Sequence, residues 1–442
     1  KFQCQSQPVG CQTPDPASRP TTIMGTTTSS ELPATMRQLV CNRPASEIAN
    51  AELVVEEVSI PVPRNGEVLI KVAASPVNPS DYGEWKKELE EGAEWKSVRC
   101  GKEGSGAVVA SGGGVWANSM VGAKVGFANL TGGQGAYSEY VTAGFSSTFS
   151  LPAALPVEAC CSFFVNPFTA FGILDTARTR CGARGFIHTG AASQLGQMLV
   201  KLCSPPAAGN PNHMTLINVV RREEQAELLR SLGAAHVVVT GSRPEAEWRK
   251  ELKALAKELK VSVAFDCVAG SMTEALVDAV PKGGTVFVYG RLSNEAARVQ
   301  PTDLIYFGKK LEGFLLGGRG HSCWLRLDGA GNMVRTLGKL NAAGKAVMPA
   351  LGQGGWAESR FVDCSLEEMQ GRISALLTEG ATNKKLRIRF GDTNPVPETP
   401  VPETPVPEIP VPETPVAESL VAESPVAESP ASELPVSESP VS

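Results

Sequence analysis

The stretch "FIHTGAASQLGQMLVKLC", residues 186–203, decides the fold. It begins as an apolar, strand-like run, passes through small residues and continues with the apolar spacing of an amphipathic helix. Small residues at such a turn let a phosphate approach the backbone amides at the helix start, where the helix dipole favours an anion. The stretch therefore predicts a strand–turn–helix unit that cradles the phosphates of a nucleotide. The small residues are Gly190, Ala191, Ala192 and Ser193, with Gly196 allowing close packing of the helix on the strand.

The sequence on both sides of this unit alternates between strand-like and helix-like segments. A helical pattern, "PFTAFGILDTARTRC", precedes it, and the strand-like runs "TLINVV", "HVVV", "VSVAFDCV" and "GTVFVYG" follow it. Strands that alternate with helices predict an α/β domain with a parallel, doubly wound sheet. In such a sheet the ligand binds at the carboxyl ends of the strands, near the point where the strand order reverses.

The residues after the second strand of this region indicate which nucleotide binds. NAD-binding units usually place an acidic residue there to accept the ribose hydroxyls, whereas this chain has Arg221 and Arg222. A guanidinium can hold a phosphate through two hydrogen bonds, so we predict NADP(H). In the alternative interpretation Arg221 faces solvent at a helix start, where the dipole disfavours a cation, and the nearby Glu223 would disfavour a further phosphate.

The first part of the chain has a different pattern. Residues 36–142 contain short β-branched runs such as "ELVVEEVSIPVP", "EVLIKVAASPV" and "AYSEYVTA", separated by Gly, Pro and Asn. This pattern predicts an irregular barrel or sandwich. The segment from "KKLEGFLLGG" to "KKLRIRF" mixes both patterns and is expected to return to this β-rich domain. The predicted boundaries are 34–165 for the β-rich domain, 166–311 for the nucleotide-binding domain and 312–392 for the return.

Composition excludes several classes of protein. The Lys and Arg residues form no stripe interleaved with aromatic side chains, which disfavours nucleic-acid binding. The 11 cysteines contain no CxxC pair, which indicates reduced thiols and a cytoplasmic location. The least charged stretch, residues 140–174, is interrupted by three prolines and Glu158, so we expect no membrane span.

Both ends of the chain differ from the rest. Residues 395–442 repeat a five-residue unit with nine Glu and no Lys, Arg or Asp, although the net charge of the whole chain is only −5. Proline at this density forbids helix and sheet, so residues 393–442 are predicted to be an extended acidic tail, either a spacer, a docking element or a solvated end without chemistry. Residues 1–33 are rich in Ser, Thr, Pro and Gln and are predicted to be disordered, with a remnant of an organellar targeting peptide as the alternative.

Taken together, several motifs resemble the medium-chain dehydrogenase/reductase superfamily, in its zinc-independent branch of quinone oxidoreductases and enoyl reductases. They span about residues 34–392 and include "GEVLIKVAASPVNPSDYG", "GKEGSGAVVASG", "VNPFTAFGIL", "HTGAASQLGQ", "AFDCVAGS", "GGTVFVYGRLS" and "IYFGKKLEGFLL". The resemblance implies a GroES-like catalytic domain, a Rossmann cofactor domain, a cleft between them and a homodimer. It also implies contacts with NADPH by Gly190, Ala191, Ala192, Ser193, Gln194, Leu195, Arg221, Val268, Tyr289, Gly290 and Phe314.

Zinc-dependent members of this superfamily keep a His beside a Glu where this chain has Gly101, Lys102 and Glu103, and they carry a four-Cys lobe that has no counterpart here. A catalytic zinc needs three converging protein ligands and an open position. The four histidines show no ligand spacing, and His188 ends an apolar strand, which favours a structural role. We therefore expect no metal cofactor.

Without zinc, alcohol oxidation would lack its Lewis acid, whereas a quinone or an α,β-unsaturated carbonyl accepts hydride readily because the product is delocalised. The resemblance implies that the loop "VNPSDYG" lines the cleft. Its polar side chains are therefore the candidate catalytic residues. They are Asn78, Asp81 and Tyr82, with Ser80 beside them. In the alternative interpretation, Asn78 and Asp81 only cap backbone groups of a Pro-ordered turn.

Two other functions remain open. Enoyl thioester reductases that resemble this branch place a Tyr further along the same loop as proton donor, where this chain has "EWKKELEEG" and no Tyr. A 2-enoyl thioester reductase is therefore the second hypothesis, with Tyr82 as a substitute donor. The third is a non-catalytic NADPH-binding protein with an acidic interaction tail, because a fold does not determine a function.

Truncation after Asp392 tests the interpretation of the tail. We expect the melting temperature and the turnover to stay near their starting values, because the repeat offers too little apolar surface to offset its ordering entropy. A gain in NADPH affinity should be small and should vanish at high salt, which screens charges beyond roughly 8–10 Å. A melting temperature lowered by several degrees, or loss of activity, would mean that the tail packs on the enzyme.

Overall fold

The computed structural model describes residues 32–90, 92–128, 135–203, 212–379 and 385–391. The predicted disordered or targeting segment 1–33 lies outside the described residues except for its last two positions. The predicted acidic tail, residues 393–442, lies outside them entirely.

The described residues form strands along the whole of the chain that they cover. In chain order the strands are β1 (Thr35–Arg43), β2 (Glu52–Ser59), β3 (Glu67–Pro76), β4 (Val98–Arg99), β5 (Glu103–Ser111), β6 (Lys124–Ala128), β7 (Tyr140–Gly144), β8 (Thr148–Ser150), β9 (Gly185–Thr189), β10 (Thr215–Val220), β11 (His236–Val239), β12 (Val263–Asp266), β13 (Thr285–Val288), β14 (Lys310–Gly313), β15 (Leu315–Gly318), β16 (Cys323–Arg326), β17 (Phe361–Cys364) and β18 (Lys385–Arg389).

The helices concentrate in the second half of the chain. They are α1 (Pro79–Trp85), α2 (Val115–Ser119), α3 (Val165–Asp175), α4 (Gln194–Cys203), α5 (Glu223–Ser231), α6 (Glu245–Glu258), α7 (Ser271–Ala279), α8 (Pro301–Ile305), α9 (Ala330–Val347) and α10 (Met369–Glu379). A π-helical turn, Thr176–Arg180, continues α3, and single 3₁₀ turns occur at Ile48–Asn50, Phe145–Ser147, Val157–Cys160 and Met348–Ala350.

The N-terminal half folds into two mainly antiparallel sheets, as its short β-branched runs predict. The larger sheet has the order β17-β18-β3-β5-β6-β8, with β7 also paired to β3, and the smaller one has the order β2-β1-β4. Their shared core contains fully buried Val68, Ile70, Val125, Trp85 and Tyr137. The period-2 pattern of each strand sends alternate side chains into this core.

The second half contains a six-stranded parallel sheet with the order β11-β10-β9-β12-β13-β14. β9 shows why the sheet is buried on both faces. Phe186 packs in the core on one face and Ile187 in the core on the other, and both side chains are 0% exposed. The strand order reverses between β9 and β12, so the doubly wound α/β fold is confirmed, with its switch point directly after the first strand.

The return to the β-rich domain starts later than residue 312. β14 extends to Gly313 in the parallel sheet, and Trp324, Leu325 and α9 pack in the core that also holds Phe186. Only β17 and β18 join the antiparallel sheet, because their apolar side chains fill its core. We therefore propose that the return begins near Phe361; the other domain boundaries remain predictions.

The segment Val157–Arg180 is long and apolar enough to cross a membrane by length and composition alone. Within the protein, however, 72% of its apolar window is buried. Phe163, Phe164 and Phe168 pack against one another and against Phe149, with ring centroids 4.5–6.5 Å apart. This segment is therefore a core helix that connects the antiparallel sheet to the parallel one.

Candidate functional site

The predicted phosphate turn joins β9 to α4 at the carboxyl edge of the parallel sheet. Gly190 adopts a positive φ of 60°. A Cβ atom at this position would lie 2.5 Å from Sγ of Cys267, which is itself buried. Both the backbone conformation and the close approach therefore require glycine here, although the other positions of the turn hold Ala and Ser.

The residues of the turn divide into a buried layer and an accessible one. Ala191, Ala192 and Leu195 are 0%, 4% and 9% exposed and pack beneath the turn. Ser193 is exposed, and its Oγ accepts the backbone N–H of Gly196 at 3.1 Å, so it caps the start of α4. Gly190 and Ser193 are therefore the turn residues that remain open to a ligand.

Gln194 is the first residue of α4 and carries a buried donor without a partner. Its Oε1 accepts the backbone N–H of Arg360 at 3.4 Å, whereas its Nε2 is buried and has no hydrogen-bond partner within the described part of the chain. An unpaired buried N–H group costs free energy unless a ligand or water satisfies it. This donor at a helix start fits an anionic group of the cofactor.

Arg221 lies beside the turn. β9 and β10 are in parallel register with Thr189 opposite Val219, and Arg221 lies two residues after Val219 just as Ala191 lies two residues after Thr189. The exposed Arg221 guanidinium has no hydrogen bond or ion pair to any residue that the structure describes. Glu223, by contrast, is bonded to Arg230 of its own helix at 2.6 Å. The arginine is thus free to meet a phosphate, and the acid beside it is already paired.

Two residues at the switch point were missed by sequence reasoning. Thr189 ends β9 and donates its hydroxyl to Asp266 Oδ1 at 2.9 Å, which ties β9 to β12. Asp266 also accepts the backbone N–H groups of Val268 and Ala269 at 2.9 and 3.2 Å, and the Thr273 hydroxyl at 2.7 Å. The acidic residue that ends the apolar strand "VSVAFDCV" was the available signal. The predicted Val268 is held in place by this carboxylate.

Tyr289, predicted to contact the cofactor, lies against His188. The Tyr289 hydroxyl is 2.6 Å from His188 Nε2, and the two rings stack with an interplanar angle of 11°. Burial lowers the pKa of His188 to about 3, so its imidazole is neutral. Desolvation by burial also raises the pKa of Tyr289, so its hydroxyl stays protonated. The pair links the carboxyl end of β9 to that of β13 across β12.

Gly290 and Phe314 differ in what they can offer a ligand. A Cβ at Gly290 would lie 2.7 Å from the Cys267 carbonyl oxygen, so the loops after β12 and β13 pack closely there. Phe314 is 6% exposed, and its ring packs edge-to-face on Phe265 with centroids 5.9 Å apart. The Phe314 ring points into the core because it fills the space beside Gly172. The Phe314 ring is therefore enclosed, and the predicted cofactor contact at this residue stays a prediction.

Asn78, the first candidate catalytic residue, is enclosed. Its side chain is 0% exposed. Its Nδ2 donates to Glu103 Oε1 at 3.0 Å, and its Oδ1 accepts from Lys385 Nζ at 2.6 Å. Both ends of the carboxamide are thus occupied by protein groups, and Asn78 has no surface left for a substrate. The expectation that it acts on the substrate directly does not agree with this geometry.

Asp81, the second candidate, serves the turn in which it lies. Its Oδ2 accepts the backbone N–H of Asn78 at 2.8 Å and the Tyr137 hydroxyl at 2.9 Å, as in the capping alternative. Its side chain is 1% exposed, and its Oδ1 has no partner within the described residues. Burial raises the pKa of Asp81 to about 6.

Tyr82, the third candidate, is only half-buried, and its hydroxyl forms no hydrogen bond with the residues that the structure describes. Burial raises its pKa, and the nearby Asp81 and Cys267 raise it further. Cys267 follows β12, and Arg291, which follows β13, donates to the Gly83 carbonyl oxygen at 2.9 Å. The helix α1 therefore faces the loops at the carboxyl edge of the parallel sheet, with a protonated hydroxyl between them.

The position that holds zinc ligands in zinc-dependent enzymes offers no free ligand here. Glu103 Oε1 accepts from Asn78, and Oε2 accepts the backbone N–H groups of Phe164 and Val165 at 2.8 and 3.0 Å. Lys102 pairs with Glu84. Within the described ranges, no group of three His, Cys, Asp or Glu side chains could hold a metal ion. These residues do not fit a catalytic zinc, and metal-independent activity remains a prediction.

Two family models match the chain. The model described as an alcohol dehydrogenase GroES-like domain matches residues 64–153, within the antiparallel sheets. The model described as a zinc-binding dehydrogenase matches residues 195–327, from α4 to just beyond β16. The two matches follow the two halves of the fold.

Curated relatives cover most of the described chain. The mitochondrial enoyl-[acyl-carrier-protein] reductase of Xenopus tropicalis is 30% identical over 291 residues, which are 62% of this chain and 79% of that protein. The human protein of the same name is 27% identical over 332 residues, 73% of this chain and 83% of that protein. Mouse prostaglandin reductase-3 is 25% identical over 301 residues, 65% of this chain and 74% of that protein.

Solved structures share the fold. A structure assigned as an NADPH:quinone reductase from Mesorhizobium loti is 27% identical, covers 81% of this chain and all of its own, and has a TM-score of 0.67. A mutant enoyl thioester reductase from Candida tropicalis has a TM-score of 0.60 at 19% identity and covers 80% of this chain. The second likeness concerns the fold alone.

The position of Arg221 predicts a preference for the phosphorylated dinucleotide. Arg221→Ala should weaken NADPH binding by about 1.5–3 kcal/mol, the scale of a hydrogen bond to a charged group, and leave NADH binding nearly unchanged. Titration of cofactor fluorescence measures both affinities. Lys250→Ala, which removes an exposed cation from α6 and leaves the ion pair of Glu223 intact, is the matched control. Equal affinities for NADPH and NADH in the unmutated protein would contradict the prediction.

Proposed function

Because the chain belongs to the medium-chain dehydrogenase/reductase superfamily, in its zinc-independent branch, we propose that it reduces a quinone or an α,β-unsaturated carbonyl compound. The chain is an NADPH-dependent oxidoreductase. The observation that carries the finer proposal is the Tyr82 hydroxyl, which is protonated, unpaired within the described residues and placed opposite the loops where the cofactor site lies.

The cofactor site fits NADPH through several of this chain's own groups. The accessible Gly190 and Ser193 and the unpaired Nε2 of Gln194 lie at the start of α4, where a pyrophosphate is favoured. Arg221 stands one strand away, in position for a further phosphate on the ribose. NADPH supplies the hydride when it is bound.

The protein's part in the reaction is to position the acceptor and to supply a proton. Hydride addition to a conjugated carbonyl or a quinone leaves negative charge on oxygen or on the α-carbon, and that charge must be neutralised. We assign Tyr82 as the proton donor, because burial keeps its hydroxyl protonated at neutral pH. Asp81 and Asn78 support Tyr82 by fixing the turn in which it lies, through the hydrogen bond from Asn78 N–H to Asp81.

A 2-enoyl thioester is the second candidate substrate. The enoyl reductase names of several curated relatives support it, since a thioester conjugated to a double bond accepts hydride by the same chemistry. Where the resemblance to enoyl thioester reductases implies a Tyr, this chain has none. The proton donor to a thioester substrate would therefore again be Tyr82.

Oligomeric state and location remain proposals. A homodimer is supported by the position of β14 at the end of the described parallel sheet and by the exposed apolar side chains of Ile305 and Tyr306, 69% and 74% exposed, in the segment before it. A cytoplasmic location is expected from the cysteines, and the mitochondrial relatives support organellar import as the alternative.

A comparison of substrates tests the proposed function. The full chain should oxidise NADPH in the presence of a simple benzoquinone or an α,β-unsaturated ketone, and the loss of NADPH absorbance measures the rate. A higher kcat/KM with a trans-2-enoyl-CoA would favour the thioester reductase instead. NADPH binding without turnover on any of the three would support the non-catalytic alternative and contradict the proposal.

Substitution of Tyr82 tests the assigned proton donor. Tyr82→Phe removes only the hydroxyl and should lower kcat by about 100-fold or more, the usual contribution of a positioned general acid. NADPH affinity should not change, because the phosphate turn lies on another sheet. Tyr306→Phe, at a 74% exposed position, is the matched control. An unchanged kcat in Tyr82→Phe would show that the proton comes from water.

A further inference from the structure

Three polar side chains from distant parts of the sequence meet in the interior of the antiparallel domain. They are Asn78 before α1, Glu103 at the start of β5 and Lys385 at the start of β18, and they are 0%, 0% and 5% exposed. Charged groups are seldom buried so completely unless they are paired. Two opposite charges in this interior are therefore costly to the fold unless their partners compensate them.

The side-chain amide of Asn78 lies between the two charges. The Lys385 ammonium donates to Asn78 Oδ1 at 2.6 Å, and Asn78 Nδ2 donates to Glu103 Oε1 at 3.0 Å. The described residues show no direct ion pair between Lys385 and Glu103, although each lowers the cost of burying the other's charge. A carboxamide can accept from an ammonium at its oxygen and donate to a carboxylate from its nitrogen, and here it does both. The two charges therefore fix both the place and the rotation of Asn78.

Glu103 extends this network to the cofactor side. Its second oxygen accepts the backbone N–H groups of Phe164 and Val165, at the start of α3. A carboxylate at a helix start is stabilised by the helix dipole and by the unpaired amides. The same carboxylate therefore contacts both the loop before α1 and the start of α3, the helix that packs against α4.

We propose that Lys385 and Glu103 are positioning residues, which hold Asn78 and through it the start of α1, so that the Tyr82 hydroxyl lies at the correct distance from the bound cofactor. The proposal rests on the proposed function. The backbone already attaches this region, because Val77 N–H donates to Leu386 O at 2.8 Å. The side-chain network also fixes the orientation of Asn78 and of the start of α1. Orientation matters because a reacting group misplaced by about 1 Å can lower the rate about 100-fold.

Stability alone does not explain the network. Replacing a buried pair of charges by neutral groups of similar size is often neutral or stabilising, whereas removing one charge leaves the other uncompensated. Single and double substitutions therefore separate the two roles, because stability follows the charge balance and catalysis follows the geometry of Asn78.

The test measures melting temperature and kcat on four variants of the full chain. Lys385→Met should lower the melting temperature and reduce kcat about 10- to 100-fold. The double variant Lys385→Met/Glu103→Gln, which restores charge balance, should recover most of the melting temperature but not kcat, since Asn78 still lacks its ammonium donor. Asn78→Leu should reduce kcat by a similar factor, and adding Lys385→Met to it should produce little further loss of kcat.

Two controls make the outcome specific. Lys71→Met removes an exposed lysine from β3 of the same sheet and should leave kcat unchanged. The NADPH dissociation constant should stay within about twofold in every variant that retains Glu103, because the contacts of this carboxylate with the start of α3 then remain in place. Full recovery of kcat in the double variant, or additive losses with Asn78→Leu, would overturn the positioning role. Absence of turnover in the unmutated chain would instead refute the proposed function and this inference with it.

Discussion

The buried carboxylate of Glu103 is the constraint on which the rest of the site depends. A charge with no access to water needs counter-charge and donors, and the chain supplies them from three places: the Asn78 amide, the first amides of α3 and the Lys385 ammonium nearby. Meeting this need brings together the start of β5, the loop before α1, the helix that enters the cofactor half and the last described strand. One electrostatic requirement thus joins the substrate-side loop to the larger antiparallel sheet and to α3.

The sequence predicted the parts of the site that depend on local chemistry. The small residues of the turn lie at the carboxyl edge of the parallel sheet and the β-branched runs lie in the antiparallel sheets, while the contacts of the turn and of Arg221 with the cofactor stay predictions. Gly190 shows the limit of substitution in such a turn. The other positions of the turn hold Ala or Ser. Gly190 cannot be replaced in the same way, because its φ is positive and a Cβ there would meet Cys267, which is 77 residues later in the sequence.

The errors arise where contacts between distant residues decide the outcome. Asn78, Asp81 and Tyr82 are equivalent in the sequence as polar members of one loop, yet the first two are enclosed and only the third faces the cleft. Lys385 and Glu103 enclose Asn78, and Tyr137 covers Asp81, and no spacing rule connects these residues to the loop. The return to the antiparallel sheet was predicted too early for a related reason. The mixed pattern after residue 312 fits either half, and only the packing of Trp324 and α9 beside Phe186 shows that it belongs with the parallel sheet.

The protonation of the buried groups favours reduction over oxidation. An enzyme that dehydrogenates an alcohol needs a base to accept the hydroxyl proton or a metal to make that proton acidic. Here burial raises the pKa of Tyr82 and brings that of Asp81 to about 6, while it lowers the pKa of His188 to about 3, so the imidazole is a poor base and its Nε2 is already bonded to Tyr289. Among these groups only the Tyr82 hydroxyl keeps an acidic proton at neutral pH, because Asp81 is largely ionised there and is enclosed by its own turn, while the imidazole of His188 is neutral. Such a site suits the step after hydride addition, in which an anionic product takes up a proton, and this agrees with an enzyme that consumes NADPH.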